Sequence, residues 1–288
     1  MTAQTISKGL AGALRNAGIG MGLIALALSF GAPEAQAAPK AKLWERWQAH
    51  DATATARIDH GEWNRLLSVY LKAGEDGLNR FDYAAVTAPD RAALDAYVSG
   101  LAATPISTHN RAEQFAYWVN LYNALTVKVI LDHYPVESIR DIDISPGLFA
   151  NGPWGAKLLA IEGEEVSLDD IEHRILRPIW NDPRIHYAVN CAAIGCPNLM
   201  PVALTGENTE KNLNEAARAF INHPRGVRFE GDDLVVSKIY TWFEEDFGGN
   251  EAAVIRHLRQ YAEPELRARL SGLTDIDDYE YDWSLNGA

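Results

Sequence analysis

The sequence has little sulfur and few cations. Among 288 residues there are two cysteines, Cys191 and Cys196, and three methionines. With so few thiols, cysteine can fix one loop at most, and the fold must rest on its apolar core. There is no H-E-x-x-H pattern and no Cys-x-x-Cys, so the recurrent zinc spacings are missing. No Gly-x-Ser-x-Gly elbow is present. The glycines at Gly147, Gly152 and Gly155 have no lysine-serine partner and open no helix, which excludes a phosphate loop of the usual kind. Lysine and arginine total 26 against 39 acidic residues, a net charge of −13. A chain of that sign is a poor ligand for nucleic acid or for an anionic lipid surface. Its expected partners are a small molecule, a peptide or an envelope protein. No cofactor is called for.

Long apolar runs are confined to the beginning. Lys8 and Arg15 precede an apolar stretch, Ala17 to Phe30, and Ala35-Gln36-Ala37 fits the small-x-small cleavage rule. Residues 1–37 therefore read as a signal peptide, 38–286 as a single globular domain, and the location as periplasmic or secreted. Cleavage removes Lys8, Arg15 and Glu34, so 26 basic and 39 acidic residues become 24 and 38, a net charge of about −14. No later segment is apolar for long enough to span a bilayer, so no stable membrane span is expected after cleavage.

The composition is that of an ordinary globular protein, 47% hydrophobic and 23% charged. Apolar periodicity predicts helices over Gly61–Lys72, from Pro89 onward, over Thr209–Asn222, Ala252–Tyr261 and Pro264–Leu270. Arg111–His133 is the longest, apolar nearly all round and hence central. Asn120 and Asn123 interrupt it on one face, either as ties to a neighbouring loop or as the lining of a polar pocket. Lys157–Ile161 reads as a strand. Ser167 is placed to cap a helix over Leu168–Leu176 that carries Glu172 and His173 and ends near Pro178. Val227–Phe229 and Leu234–Val236 flank a hairpin turn. The fold class is α+β: one helix-rich domain with a small antiparallel or mixed sheet.

The most informative stretch is Arg184 to Leu199, RIHYAVNCAAIGCPNL. Arg184–Asn190 reads as a strand that delivers Cys191 to a loop. Two chemistries compete there. A nucleophilic thiol needs an imidazole, and His186 and His173 are the nearest in sequence. On a strand, His186 and Cys191 point to opposite faces, so Cys196 is the better partner for His186, while His173 could serve either thiol. Alternatively the two cysteines form a disulfide, which an oxidising compartment favours. A zinc site from Glu172, His173, His186 and a cysteine is disfavoured, because neighbours on a helix project about 100° apart. Glu172 or His173 with Arg177 also reads as a helix-surface ion pair or a tether.

Five segments, FAYWVNLYNALTV, SLDDIEHRILR, RIHYAVNCAAIGCP, SKIYTWFEEDFGG and YDWSLN, together resemble the domain of unknown function 547 family, in the same order from Phe115 to Asn286. The family name states no activity. Its matching stretches hold Asn120, Asn123, Glu172, His173, Arg177, His186, Asn190, Cys191 and Cys196. The sequence thus leaves two functions open. One is an exported α+β domain that binds a ligand or partner. The other is a thiol-dependent hydrolase or acyl transferase acting on amide, thioester or peptide-like bonds, a permuted relative of papain or transglutaminase folds. In the latter, Cys191 or Cys196 is the nucleophile, His186 or His173 the base, and Asn120, Asn123 or Glu172 the orienting group.

Overall fold

In a computed structural model, residues 39–147 and 151–288 are described. The signal peptide expected over residues 1–37 lies outside them, as do three residues of the long connection Ile139–Gly155. Helix α3, Arg111–His133, is the axis of the fold. Every residue from Glu113 to Val127 is buried, as its all-round apolar character requires. Asn110 caps it, its side chain accepting from the Glu113 N–H. Against α3 pack α2 (Ala88–Ala102) and a helix that begins at Leu168, and α1 (Gly61–Tyr70) packs on α2. A second apolar cluster forms between α5 (Thr209–Ile221), the hairpin over residues 227–237 and the helix Glu251–Tyr261.

Among the described residues the strands make three small sheets rather than one. Leu71–Ala73 (β1) pairs antiparallel with Asn79–Phe81 (β2), and Leu159–Ile161 (β3) with Glu164–Val166 (β4). Val227–Glu230 (β5) pairs antiparallel with Asp233–Ser237 (β6), and Asp278–Glu280 (β7) joins β6 in parallel. The helix-rich α+β expectation holds, with a mixed sheet of three strands. Helix α1 is shorter than its periodicity suggested, because Leu71 and Lys72 leave it to enter β1. No helix among the described residues is long and apolar enough to cross a membrane.

Two local departures from expectation shape the site. The helix from Leu168 does end near Pro178, two residues past it, but is not α-helical throughout. It runs to Trp180, and Asp170–Leu176 within it is a π-helix, continued by α4, Arg177–Trp180. The Arg177 N–H donates to the Glu172 carbonyl, five residues back. That leaves the His173 carbonyl without Arg177, and Pro178 has no N–H to offer in its place. An incoming segment supplies the missing donors. The Lys42 N–H donates to His173 O and the Trp44 N–H to Arg174 O, both at 2.9 Å. Arg177 Nη1 donates to Pro39 O at 2.7 Å, and the Arg174 guanidinium lies 4.3 Å from the Trp44 ring centre.

The second departure is a correction. Arg184–Asn190 is not a strand. Pro183–Tyr187 is a 3-10 helix, and no strand follows before Cys191. Pro183 sits in its first turn, and the Asp182 side chain accepts from the Arg184 N–H at 2.9 Å, so a capped turn outweighs the β-branched content. The face argument that set His186 opposite Cys191 therefore does not apply.

Candidate functional site

The π-helix, the 3-10 turn, the cysteine loop and the aromatic tail meet at one place. Asn123 builds part of it from below. Its amide donates to Ala188 O at 2.9 Å and accepts from Asn190 N at 2.8 Å. Asn190 in turn donates to Pro197 O at 2.8 Å and accepts from Ala192 N at 2.9 Å and from Asn286 Nδ2 at 3.2 Å. Both asparagines thus fix the cysteine loop by its backbone. Asn120 does the same elsewhere, bonding Leu204 O and Leu204 N at 2.8 and 3.0 Å. Of the two readings open for the asparagine face, the tie to neighbouring loops accounts for these bonds.

The sulfurs of Cys191 and Cys196 stand at disulfide-bonding separation, with α-carbons 6.4 Å apart. Neither imidazole touches them. The Tyr281 hydroxyl does, at 3.1 Å from each sulfur, and the Cys191 N–H lies 3.1 Å from the Cys196 sulfur. The tail holds this loop through backbone hydrogen bonds around one isolated bridge, Ala193 to Leu285. The Ile194 N–H donates to Ser284 O and the Gly195 N–H to Asp282 O, both at 2.8 Å, while the Asn286 N–H donates to Ala192 O at 3.0 Å. Gly195 permits the approach, since a Cβ there would lie 2.8 Å from the Asp282 nitrogen. Ala192 takes φ +58°, a left-handed conformation that costs a non-glycine residue energy.

The imidazoles serve a separate network. His186 Nε2 meets Asp246 Oδ2 at 2.7 Å, and its Nδ1 faces Glu172 Oε1 at 3.6 Å with no hydrogen-bond partner. The ring stacks on Phe243 at 3.9 Å. Arg177 donates to Asp246 at 2.5 Å and approaches His173 Nδ1 at 3.1 Å. His173 lies between two carboxylates, Asp169 at 3.6 Å from Nε2 and Glu172 at 4.0 Å from Nδ1. Arg177 is therefore a buried tie, 4% exposed, and not a surface pair. Among the described residues no group of three or more His, Cys, Asp or Glu side chains is arranged to hold a metal ion.

Burial sets the electrostatics. It pushes His173 down to about 4, with the Glu172 charge opposing and Arg177 assisting. Burial, then the charges of Glu172 and Asp170, push Asp169 up to about 6. Burial works against an ionised Glu172, but His173, His186 and the Arg177 guanidinium outweigh it and hold the carboxyl below its ordinary value. Asp246 is likewise held down, at about 2, where hydrogen bonds from His186 and Arg177 overcome burial. The phenols of Tyr122 and Tyr281 are pushed up by burial, with Glu172 contributing to both. Two neighbouring carboxyl groups with their pKa values driven apart are the usual ingredients of an acid–base or proton-sharing site.

Aromatic rings border this network. Trp242 packs on Tyr281 at 4.8 Å and on Trp283 at 5.5 Å, and Trp154 packs on Trp283 at 5.8 Å. All four residues are partly exposed. Trp154 also connects to the carboxylates, its carbonyl accepting from the Asp169 N–H at 3.0 Å. Sequence reasoning named Glu172, His173, Arg177, His186, Asn190 and both cysteines. It missed Asp246, Tyr281 and Phe243, and gave Asp169 no place in the site. The signal for the first three lay in the segments SKIYTWFEEDFGG and YDWSLN, which had been used for resemblance alone.

A helix-rich α+β domain with a stapled loop beside a buried carboxylate–imidazole network is the class of protein these elements define. Residues 106–221 match the family model described as "Protein of unknown function, DUF547". The matched stretch spans α3, the π-helix, the cysteine loop and α5. Neither a curated protein nor a solved structure matches the chain.

Proposed function

We propose that this is an exported envelope protein that binds a small polar ligand between its aromatic tail and its buried carboxylates. A saccharide is the class that fits. The observation that carries the reading is the set of partly exposed, mutually packed rings, Trp154, Trp242, Tyr281 and Trp283, beside buried Glu172 and the unpartnered Nδ1 of His186. Flat rings receive the C–H faces of a sugar, and carboxylates accept its hydroxyls. The net negative charge argues against an anionic ligand. Glu172, His173, His186 and Arg177 form the polar floor, and Asn123 and Asn190 hold the loop beside it. A thiol nucleophile receives no support, since each sulfur is engaged by the other and by Tyr281.

The test is tryptophan fluorescence of the mature protein titrated with chito-, cello- and malto-oligosaccharides. Binding is expected to shift the emission and to be lost in Trp242→Ala and Trp283→Ala. No spectral change with any of the three series, or unaltered binding in both variants, would overturn the saccharide reading.

A further inference from the structure

The cysteine loop is asymmetric in a way that a purely structural staple does not require. Cys191 is partly exposed and Cys196 is buried. The buried sulfur already faces two donors, the Cys191 N–H and the Tyr281 hydroxyl, each at 3.1 Å. A cation stands behind the same loop. Arg225 Nη1 donates to Ile194 O at 2.9 Å and Nη2 to Asn198 Oδ1 at 2.7 Å, while its Nε has no partner and no carboxylate pairs with it among the described residues. Ala192, between the two cysteines, keeps the left-handed backbone described above. Such strain is commonest at reactive sites.

We propose that the Cys191–Cys196 disulfide accepts electrons from dithiols of peptides or proteins, with Cys191 as the attacked sulfur and Cys196 as the leaving group. This goes beyond the ligand-binding reading and does not depend on it. In the first step a substrate thiolate attacks the exposed Cys191 sulfur. A substrate–Cys191 bond forms, the Cys191–Cys196 bond breaks, and its electron pair leaves on Cys196. Tyr281 O–H and Cys191 N–H donate to that thiolate, while Arg225 holds the loop at Ile194 O. A group that leaves as a stabilised thiolate leaves faster. In the second step the other thiol of the substrate, as thiolate, attacks its own sulfur in the mixed disulfide, and the electron pair leaves on Cys191. The substrate gains a disulfide and loses two electrons and two protons. Cys191 and Cys196 gain the two electrons and, with two protons from solvent, become thiols. Burial keeps the Tyr281 phenol protonated and able to donate, and Arg225, though drawn down to about 10 by burial, remains a cation at neutral pH.

The oxidised mature protein would be mixed, without air, with one equivalent of a reduced two-cysteine peptide, and in parallel with reduced glutathione, then quenched with acid and alkylated. The peptide is expected to emerge oxidised as Cys191 and Cys196 become alkylatable. Glutathione is expected on Cys191, with Cys196 carrying the alkyl group. Tyr281→Phe should slow the reaction by at least about tenfold, the worth of one hydrogen bond to an anion. Cys196→Ser, which leaves Cys191 unpaired, should capture oxidised glutathione on Cys191. A disulfide that resists both reductants while the protein stays folded overturns the proposal. So does glutathione attached to Cys196, or a folded Tyr281→Phe that reacts as fast as the parent. The site of attachment is read on the unmodified protein, so it decides the matter even if a variant fails to fold.

Discussion

Asn123 and Asn120 offer a paired measurement of what the central helix contributes. Each amide is buried and makes two hydrogen bonds to backbone, Asn123 to Ala188 and Asn190, Asn120 to both polar groups of Leu204. Replacing either by alanine leaves one buried N–H and one buried C=O without a partner. Each orphaned group costs about 1–3 kcal/mol, so each variant should lose about 2–6 kcal/mol, toward the lower end if water enters the gap. For a domain of this size a loss of 3 kcal/mol corresponds to a fall in Tm of about 6–12 °C. Urea unfolding at neutral pH should show a lower midpoint with an unchanged slope. Hydrogen exchange locates the damage: the Asn190 amide should lose protection in Asn123→Ala, and the Leu204 amide in Asn120→Ala. A loss under about 1 kcal/mol in both variants, or matching exchange patterns, would refute the assignment of these side chains to loop anchoring.

Arg177→Ala removes a buried cation that bonds Asp246, His173 and Pro39 O, and should cost about 3–5 kcal/mol in thermal or urea unfolding. Stability should also fall on mild acidification. His60, His173 and His257 are each pushed down to about 4 by burial. Between the ordinary histidine value of 6.5 and about 4, the unfolded chain binds protons that these folded rings refuse, so stability declines as pH drops through that window. Asp169 opposes one of the three. Raised to about 6, it binds a proton in the folded state first, and Asp169→Asn should steepen the decline when urea midpoints are followed from pH 6.5 to 5. At Ala192, with φ +58°, glycine should be neutral or stabilising by about 0.5 kcal/mol, while valine, β-branched and buried, should cost about 2 kcal/mol or more by the same assay.

The helices were legible because their signals are local. The Arg111–His133 helix follows from its apolar content, and the Thr209–Ile221 face from its period. The cysteine stretch was not legible, because two local signals competed. Ile185, Tyr187 and Val189 suggest a strand, but Asp182 and Pro183 start a turn, and that turn decides the backbone. The π-helix left no periodic trace either. What marks it afterwards is Pro178, which removes the donor an ordinary helix would have used. The residues of the site that were missed, Asp246 and Tyr281, are distant in sequence from the histidine and cysteines they touch. Only the packing of the second cluster and the return of the tail bring them near.

The docking of the tail on the cysteine loop carries a consequence for the order of events during synthesis. Tyr281 lies 90 residues beyond Cys191, and the backbone partners of the cysteine loop follow it, at Asp282, Ser284 and Asn286. At about 5–20 residues per second the two cysteines exist for roughly 5–20 s before their docking segment is made. A disulfide closed in that interval forms in a bare loop, without the hydroxyl that later faces both sulfurs. Maturation of the loop therefore has two separable events, oxidation and tail docking, and the second can lag the first by seconds in every molecule made.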